Sequence, residues 1–220
     1  MAAISEIGKA RLRDDVYTAM KEAILLLDYR PGQSLSLRAL ADTYGVSATP
    51  IREVLIRLEA EGLVKIEPRN SAHVTEVSIQ DVVGVTEVRL ALADQIGTLA
   101  AQRATEEDLQ ALEALIGRME KENRRRALTA LDSEFHQRVD AATKNQHLAW
   151  ISGLLRNQVV RLWFLVPGEI SYWPEMRAGR VALVSALRRR DESECRTNLR
   201  EHVLQFARQL EQTVLRGGPT

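Results

Sequence analysis

Apolar residues recur every three or four positions along the first third of the chain, which predicts a series of short amphipathic helices. The first helix is expected over residues 9–30, where Met20 and Ile24 belong to one apolar stripe. A second, shorter helix is expected to begin after Ser36, because serine accepts hydrogen bonds from the free N–H groups of a helix start. Gly45 ends it, since glycine readily takes the left-handed conformation found at helix ends.

A third helix is predicted over residues 47–60, with Ser47 as its N-cap. Four apolar residues form one stripe along this helix: Ile51, Val54, Leu55 and Leu58. The opposite face then carries Thr49 and Arg52 near the helix start. Free N–H groups at a helix start favour a phosphate, and an arginine beside them can reach base edges or the DNA backbone.

Two short strands are predicted to follow, over residues 63–66 and 73–77, joined by the turn-forming residues 68–72. Three helices followed by a β-hairpin correspond to a winged helix-turn-helix. In such a domain one helix enters the major groove of double-stranded DNA. The pattern therefore predicts a winged helix-turn-helix over residues 9–77, and periodicity alone leaves open whether it binds DNA or is a small helical domain with arginines on its surface.

Beyond residue 77 the strand signals stop and the pattern is helical. A capping-box-like start at residues 78–81 precedes the first of these helices, and Thr105 precedes the second. Further helices are expected over residues 127–142, 146–165, 175–190 and 192–215. The predicted fold class is mainly α, with an all-α six-helix bundle over residues 78–216 after the winged domain.

Composition and charge narrow the class of protein. The 220 residues contain 30 Lys and Arg against 30 Asp and Glu, so the net charge is zero. Because the charge is balanced, the arginines of residues 9–77 could equally be ordinary surface residues. The single cysteine, Cys195, excludes an internal disulfide framework and is typical of a cytoplasmic protein. No apolar run approaches the ~20 residues of a membrane span, and the start lacks the pattern of a signal peptide. We expect no membrane partner.

The stretch LSLRALADTYGVSATPIREVL at residues 35–55, followed by RLEAEGLV at residues 57–64, resembles the GntR family of bacterial transcription regulators. The similarity runs over nearly 30 positions in register. It implies that the partner is double-stranded operator DNA. The residues that the resemblance implies as DNA contacts are Arg38, Ser47, Thr49, Arg52 and Arg69.

The chain departs from the GntR pattern at two positions. Ala48 stands where the family usually has an arginine that contacts DNA, and the glycine of the wing is replaced near Ser71. One missing arginine contact removes ~1–3 kcal/mol of discrimination between bases. We therefore expect DNA binding to persist with a different operator sequence.

Residues 79–212 resemble the FadR-type subfamily, whose FCD domain binds an effector, in its VanR-like six-helix form. The motifs that carry this resemblance are Glu87-Val88-Arg89, Leu99-Ala100-Ala101, Leu131 to His136, Asn145 to Leu148 and Glu201-His202. Many FCD domains hold a divalent metal such as zinc or nickel with one Asp and three His. A carboxylate effector completes the coordination of that metal.

Three of these four metal ligands are matched, by Asp132, His136 and His202, whereas Arg180 stands at the fourth position. Asp132 and His136 are four residues apart, which places them on one face of a helix. Arg89 is implied as a further residue of the cavity. The implied effector-binding set is therefore Arg89, Asp132, His136, Arg180 and His202.

Two interpretations of Arg180 follow, because a guanidinium has no lone pair for a metal and repels one. A three-ligand metal site could persist, with Arg180 turned toward the carboxylate of the effector. Alternatively Arg180 replaces the metal and pairs with Asp132 or with an anionic effector. We favour the second, metal-free interpretation. A third, purely structural alternative is that Asp132, His136 and His202 are ordinary interior polar residues.

The predicted function is a ligand-responsive transcription regulator, a homodimeric repressor whose helical domain senses a small carboxylate. One alternative is a helical metalloenzyme built on Asp132, His136 and His202, but these residues lack a general base at a suitable spacing and leave the winged domain without a role. Another is an architectural DNA-binding protein without a ligand. We expect no enzymatic activity.

Overall fold

The computed structural model of the chain describes residues 2–68, 71–77, 81–165 and 173–216. The chain divides into two units, each with its own apolar core. The first unit contains residues 1–78 and 160–165, and the second contains residues 79–159 and 166–220.

The first unit contains three helices and three short strands in its described part: α1 (Ala2–Leu25), β1 (Ser34–Ser36), α2 (Leu37–Tyr44), α3 (Ala48–Ala60), β2 (Val64–Glu67) and β3 (Ser71–Val74). The predicted stripes form its core, since Met20 and Ile24 of α1 are fully buried beside Ile51 and Leu58 of α3. Each buried aliphatic or methionine side chain contributes about 1.5–3 kcal/mol relative to an exposed one. The winged helix-turn-helix prediction is confirmed.

The sheet differs from the predicted hairpin. β3 lies between β1 and β2 and pairs antiparallel with both, with Leu35 of β1 opposite Ala72. The three-residue β1 was not predicted, because three residues are too few to show an alternating pattern. Ser71 and Ala72, assigned to the turn by the sequence pattern, are the first residues of β3.

Helix ends in the first unit follow the predicted chemistry only in part. α1 ends at Leu25 rather than at residue 30, because the chain turns at Leu27, whose φ is +62°. α2 begins and ends as predicted: the Ser36 hydroxyl accepts a hydrogen bond from the backbone N–H of Ala39, and Gly45 has a φ of +65°. Ser47 precedes α3, but its side chain makes no capping hydrogen bond.

The rest of the chain confirms the predicted all-α six-helix form: α4 (Asp81–Arg103), α5 (Glu106–Met119), α6 (Arg125–Ala142), α7 (Gln146–Leu165), α8 (Trp173–Arg188) and α9 (Glu192–Arg216). These helices belong to the second unit, except that residues 160–165 of α7 belong to the first. α6 begins two residues earlier than predicted. α8 begins at Trp173, which was expected in a loop; Pro174 is tolerated there because a first-turn N–H has no partner within the helix. The predicted start at residues 78–81 lies largely outside the described residues.

The starts and contacts of these helices rely on small and capping residues. Thr105 and Asp108 form a capping box at the start of α5, in which each side chain accepts a hydrogen bond from the backbone N–H of the other residue.

α4 and α9 approach each other so closely that a Cβ at Gly97 would lie 2.7 Å from the backbone nitrogen of Arg196. Glycine is therefore required at this crossing.

Within the described parts of the chain, every helix is too short or too polar to cross a bilayer.

Candidate functional site

The residues of α3 that lie outside the core form two groups: one group contacts α1 and the other is exposed to solvent. Glu53 and Arg57 turn toward α1, where Glu53 pairs with Arg13 at 3.1 Å and Arg57 pairs with Asp14 at 3.2 Å. The Arg57 guanidinium also lies over the ring of Tyr17, 3.5 Å from its centroid. These contacts attach one side of α3 to α1 and leave its other exposed side facing solvent.

Thr49 and Arg52 lie on that second face and are exposed. They occupy the second and fifth positions of α3, three residues apart, so their side chains neighbour each other on the helix surface. Arg38 is exposed at the second position of α2, and Ser47 is exposed directly before α3. Arg69 lies outside the described residues.

The second unit contains a partly open cavity of about 50 Å³. Its lining includes Phe135 and His136 of α6, Arg180 of α8, and Asn198, Glu201 and His202 of α9. The structure thus brings together residues that are 66 positions apart in the chain. Of the residues that the sequence assigned to the effector, His136, Arg180 and His202 line this cavity.

Arg180 is almost fully buried and is held by two neighbours. Its Nη2 donates a hydrogen bond to Oδ1 of Asp132, and its Nη1 donates to the Met176 carbonyl at 2.5 Å. Its Nε has no hydrogen-bond partner among the described residues. The pairing of Arg180 with Asp132 is one of the two arrangements that the sequence left open for this arginine.

The two histidines stack on each other, with ring centroids 4.5 Å apart and ring planes 28° from parallel. Burial, and then the nearby arginine charges, hold the pKa of His136 well below its usual range. Burial also lowers the pKa of His202, with a further contribution from His136. Both imidazoles are therefore neutral near pH 7.

These residues do not fit a metal ion. Asp132 directs Oδ1 at the Arg180 guanidinium, and the same oxygen is 3.6 Å from Nε2 of His136. No group of three or more His, Cys, Asp or Glu side chains in the described stretches is arranged to hold a metal. Asp132 is therefore engaged by the Arg180 guanidinium, which occupies the oxygen that a metal would need.

A second ionic cluster was missed by the sequence analysis. Asp140 of α6 is buried and pairs with Arg156 of α7 at 2.7 Å. Burial raises the pKa of Asp140, although Arg156 and Arg89 oppose the shift. The signal was present in the sequence, because Asp132, His136 and Asp140 recur every four residues on a face that is otherwise apolar.

Arg89 of α4 lies within electrostatic range of this cluster. Burial lowers the pKa of its guanidinium to about 10, with the charge of Arg156 acting in the same direction. Its Nη1 is buried and makes no hydrogen bond with any described residue. Asp132 and Asp140 oppose the shift without pairing directly with Arg89.

A winged helix-turn-helix unit and an all-helical unit with a cavity lined by a buried arginine define a class of protein: one-component regulators. Comparison with known families agrees. Residues 12–74 match the family described as bacterial regulatory proteins, gntR family. Residues 84–205, more than half of the chain, match the FCD domain.

The chain belongs to the GntR family of bacterial regulators and carries an FCD domain. This confirms the resemblance inferred from residues 35–64 and 79–212. Its relatives are named as transcriptional regulators rather than enzymes, as the sequence predicted.

Individual relatives are similar at modest identity. The uncharacterized HTH-type transcriptional regulator YdhC of Bacillus subtilis is 30% identical over 136 residues, which span 60% of this chain and 61% of that protein. The HTH-type transcriptional repressor RspR of Escherichia coli is 24% identical over 205 residues, 91% of this chain and 90% of that protein. The solved structure of E. coli McbR/YncC has the same fold, with a TM-score of 0.79, 23% identity and coverage of 91% and 97% of the two chains.

Proposed function

We propose that this protein is a ligand-responsive transcription regulator that represses its target genes. Residues 9–77 form the DNA-binding domain in this proposal, and residues 78–216 form the effector-binding domain. The observation that carries it is a pair of features in one chain: an exposed, arginine-bearing helix start in the first unit and a buried arginine beside a cavity in the second.

The start of α3 is the part of the first unit that suits a DNA groove. An α-helix fits the major groove, and an arginine there can donate two hydrogen bonds to one guanine. Arg52 and Thr49 are exposed, whereas Glu53 is paired with Arg13 and its charge is compensated. In this proposal Arg38 and Ser47, which are exposed at neighbouring helix starts, contact phosphates. Arg69, which lies outside the described residues, is a further proposed contact.

The effector in this proposal is a small carboxylate bound in the cavity of the second unit. The guanidinium of Arg180 has the planar fork that matches a carboxylate, and His136 and His202 lie beside it. A purely architectural DNA-binding protein would have no need of a buried arginine at a cavity, which favours the sensor.

The active species in this proposal is a homodimer, because one recognition helix covers only half of an operator. Effector binding acts by shifting the population between states that bind DNA well and states that bind it poorly. The name of the relative RspR, a transcriptional repressor, supports repression as the mode of action.

The test of the DNA-binding proposal is a gel-shift titration of Arg52→Ala on a DNA fragment carrying the protein's own promoter. A good arginine contact contributes about 1–3 kcal/mol, so the variant should bind roughly tenfold more weakly or worse. Thermal melts of both proteins verify that the variant is folded.

The matched control is Arg118→Ala. Arg118 is an exposed arginine of the second unit that pairs with Glu134 at 3.3 Å. This variant should bind the promoter like the wild type. Equal affinity of Arg52→Ala and Arg118→Ala would show that the start of α3 does not contact DNA.

A further inference from the structure

The first unit contains a short segment from much later in the chain, residues 160–165 of α7. Arg161 and Leu162 of this segment are buried, and Arg161 is only 1% exposed. An arginine is rarely buried so completely, because its charged guanidinium leaves water only at a cost that hydrogen bonds must offset. The acceptors of Arg161 therefore indicate what this segment does in the first unit.

The guanidinium of Arg161 binds a single residue, Thr75, at two points. Its Nη1 donates a hydrogen bond to the Thr75 hydroxyl at 2.9 Å, and its Nη2 donates to the Thr75 carbonyl. The planar fork of the guanidinium thus fixes both the side chain and the backbone of Thr75. Burial lowers the pKa of Arg161 to about 10, and the negative charge of Glu76 opposes this shift, so the side chain stays charged near pH 7.

Thr75, which directly follows β3, binds the end of α3 in turn. Its hydroxyl donates to the Gly62 carbonyl at 2.7 Å, and its backbone N–H donates to the Leu63 carbonyl at 3.1 Å. Gly62 has a φ of +70°, and the N–H groups of Gly62 and Leu63 close the last turn of α3 by bonding to its carbonyls. The same two residues therefore end α3 and accept the hydrogen bonds of Thr75.

These contacts fix the junction between α3 and the wing formed by β2 and β3. β2 begins at Val64, immediately after the residues that Thr75 binds, and β3 ends at Val74, immediately before Thr75. The orientation of the wing relative to α3 thus depends on this junction. Arg161 holds the junction from its buried side, and at 1% exposure it is too deep to contact DNA itself.

We propose that Arg161 is a positioning residue for DNA recognition, which acts through Thr75 to hold α3 and the wing in the geometry that meets the operator. This inference rests on the proposed reading of DNA by α3 and the wing. It adds a residue of α7, 86 positions away from Thr75 in the chain, to the DNA-binding unit. Without this anchor the junction must become ordered when DNA binds, and that ordering lowers the affinity.

Arg161→Met tests the proposal in the full-length protein. Methionine is a flexible apolar side chain, and replacing a buried charge by an apolar group often leaves folding stability unchanged. Fluorescence anisotropy with a labelled fragment of the protein's own promoter should show roughly fivefold weaker binding or worse. All titrations are made at least about 15 °C below the lowest melting temperature, so that every variant is folded.

Substitutions at Thr75 test whether Arg161 acts through this residue. Thr75→Val keeps the shape of the side chain but loses the hydroxyl that accepts from Arg161 and donates to Gly62, so it should also weaken binding. Thr75→Ser keeps the hydroxyl and should bind like the wild type. The double variant Arg161→Met, Thr75→Val should bind no more than about twofold more weakly than the weaker single variant, because both remove the same connection. The Thr75 variants also test the proposal if Arg161→Met does not fold.

Hydrogen exchange followed by mass spectrometry separates positioning from a general loss of stability. In free Arg161→Met, peptides covering residues 61–67 and 71–77 should exchange faster than in the wild type, whereas a peptide covering residues 14–24 of α1 should not. Ile24→Val is the control, because it trims a fully buried core residue of α1 away from this junction. It should lower the melting temperature and leave the affinity for the promoter unchanged.

Each outcome supports or overturns the inference. Wild-type affinity of folded Arg161→Met, or of Thr75→Val, would overturn it. It would also be wrong if the losses of the two single variants add in the double variant, or if Ile24→Val loses as much affinity as Arg161→Met. If the wild-type protein does not bind its promoter at all, the proposed DNA-binding function fails and this inference fails with it, which the wild-type titration alone reveals.

Discussion

Arg180 occupies the position where the resemblance to FCD domains implies a metal-ligating histidine. Its guanidinium donates hydrogen bonds to Oδ1 of Asp132 and to the carbonyl of Met176. Its positive charge also helps to keep His136 neutral. Arg180 therefore replaces one of the four implied metal ligands and pairs with a second, Asp132. It also places a positive charge where a cation would lie. The chemistry of this site differs from that implied by the resemblance because of one residue.

Arg180→His should restore a metal site. In the wild type, a fixed positive charge a few ångströms from a divalent cation costs several kcal/mol even at an effective dielectric near ~20. We expect the wild-type protein, purified without chelator, to carry little bound metal, and the variant to gain close to one equivalent of zinc or nickel. Elemental analysis of both purified proteins measures this directly.

The double variant Arg180→His, His136→Ala serves as the control, because it restores one ligand and removes another. It should lose the metal that the single variant gains. A full metal complement in the wild type would instead mean that Arg180 moves aside, and the metal-free interpretation would be wrong.

At the scale of the elements, the crossing of α4 and α9 is the most demanding contact of the second unit. Gly97 lies where the backbone of Arg196 approaches, with Ala93 and Ala100 buried on the same helix and Cys195 fully buried on α9. Because these residues are small, the backbones of α4 and α9 lie close together, and a larger side chain at the crossing would not fit. The positions of Arg89 on α4 and His202 on α9 depend on this approach.

Gly97→Ala should destabilise the protein by about 1–3 kcal/mol, because its Cβ would overlap a backbone nitrogen that cannot rotate away. Urea unfolding followed by circular dichroism measures the change. Gly117→Ala on α5 is the matched control, since a Cβ there meets nothing within 4 Å. That substitution should be neutral or stabilising by up to ~1 kcal/mol, because alanine is the better helix former. Similar losses in both variants would contradict close packing at Gly97.

At the scale of the whole molecule, the proposed function requires two copies of the chain to read one operator. Each copy contributes one α3 helix, and one recognition helix contacts only a few base pairs. An operator for a symmetric dimer therefore contains two inverted half-sites separated by about one helical turn of DNA, or a multiple of it.

Removing one half-site of the operator by scrambling its sequence should weaken binding by at least about tenfold, because the contacts of one α3 helix are lost. Fluorescence anisotropy with labelled duplexes of equal length, in which one half-site is scrambled, measures the loss. Scrambling the spacer between the half-sites is the control and should have a smaller effect. Equal affinity for one and two half-sites would contradict recognition by a dimer.

Local features of the fold could be predicted from the sequence to a large extent. The buried stripe of α3, the Ser36 and Gly45 caps of α2 and the Thr105 start of α5 all depend on residues within about four positions of each other. The end of α1 was predicted less well. Leu27 departs from the helix through its own positive φ, which no periodic pattern reveals.

The sequence by itself determined the family, the winged helix and the six helices, because periodicity, caps and motif register are properties of neighbouring residues. Only the tertiary structure decided which charged side chains meet. The pairs Arg180–Asp132 and Arg156–Asp140 join residues on different helices, and Arg89 has no paired carboxylate among the residues that the structure describes. The energy of a buried charge depends on its burial and on every charge around it in space, and the order of residues along the chain does not specify these.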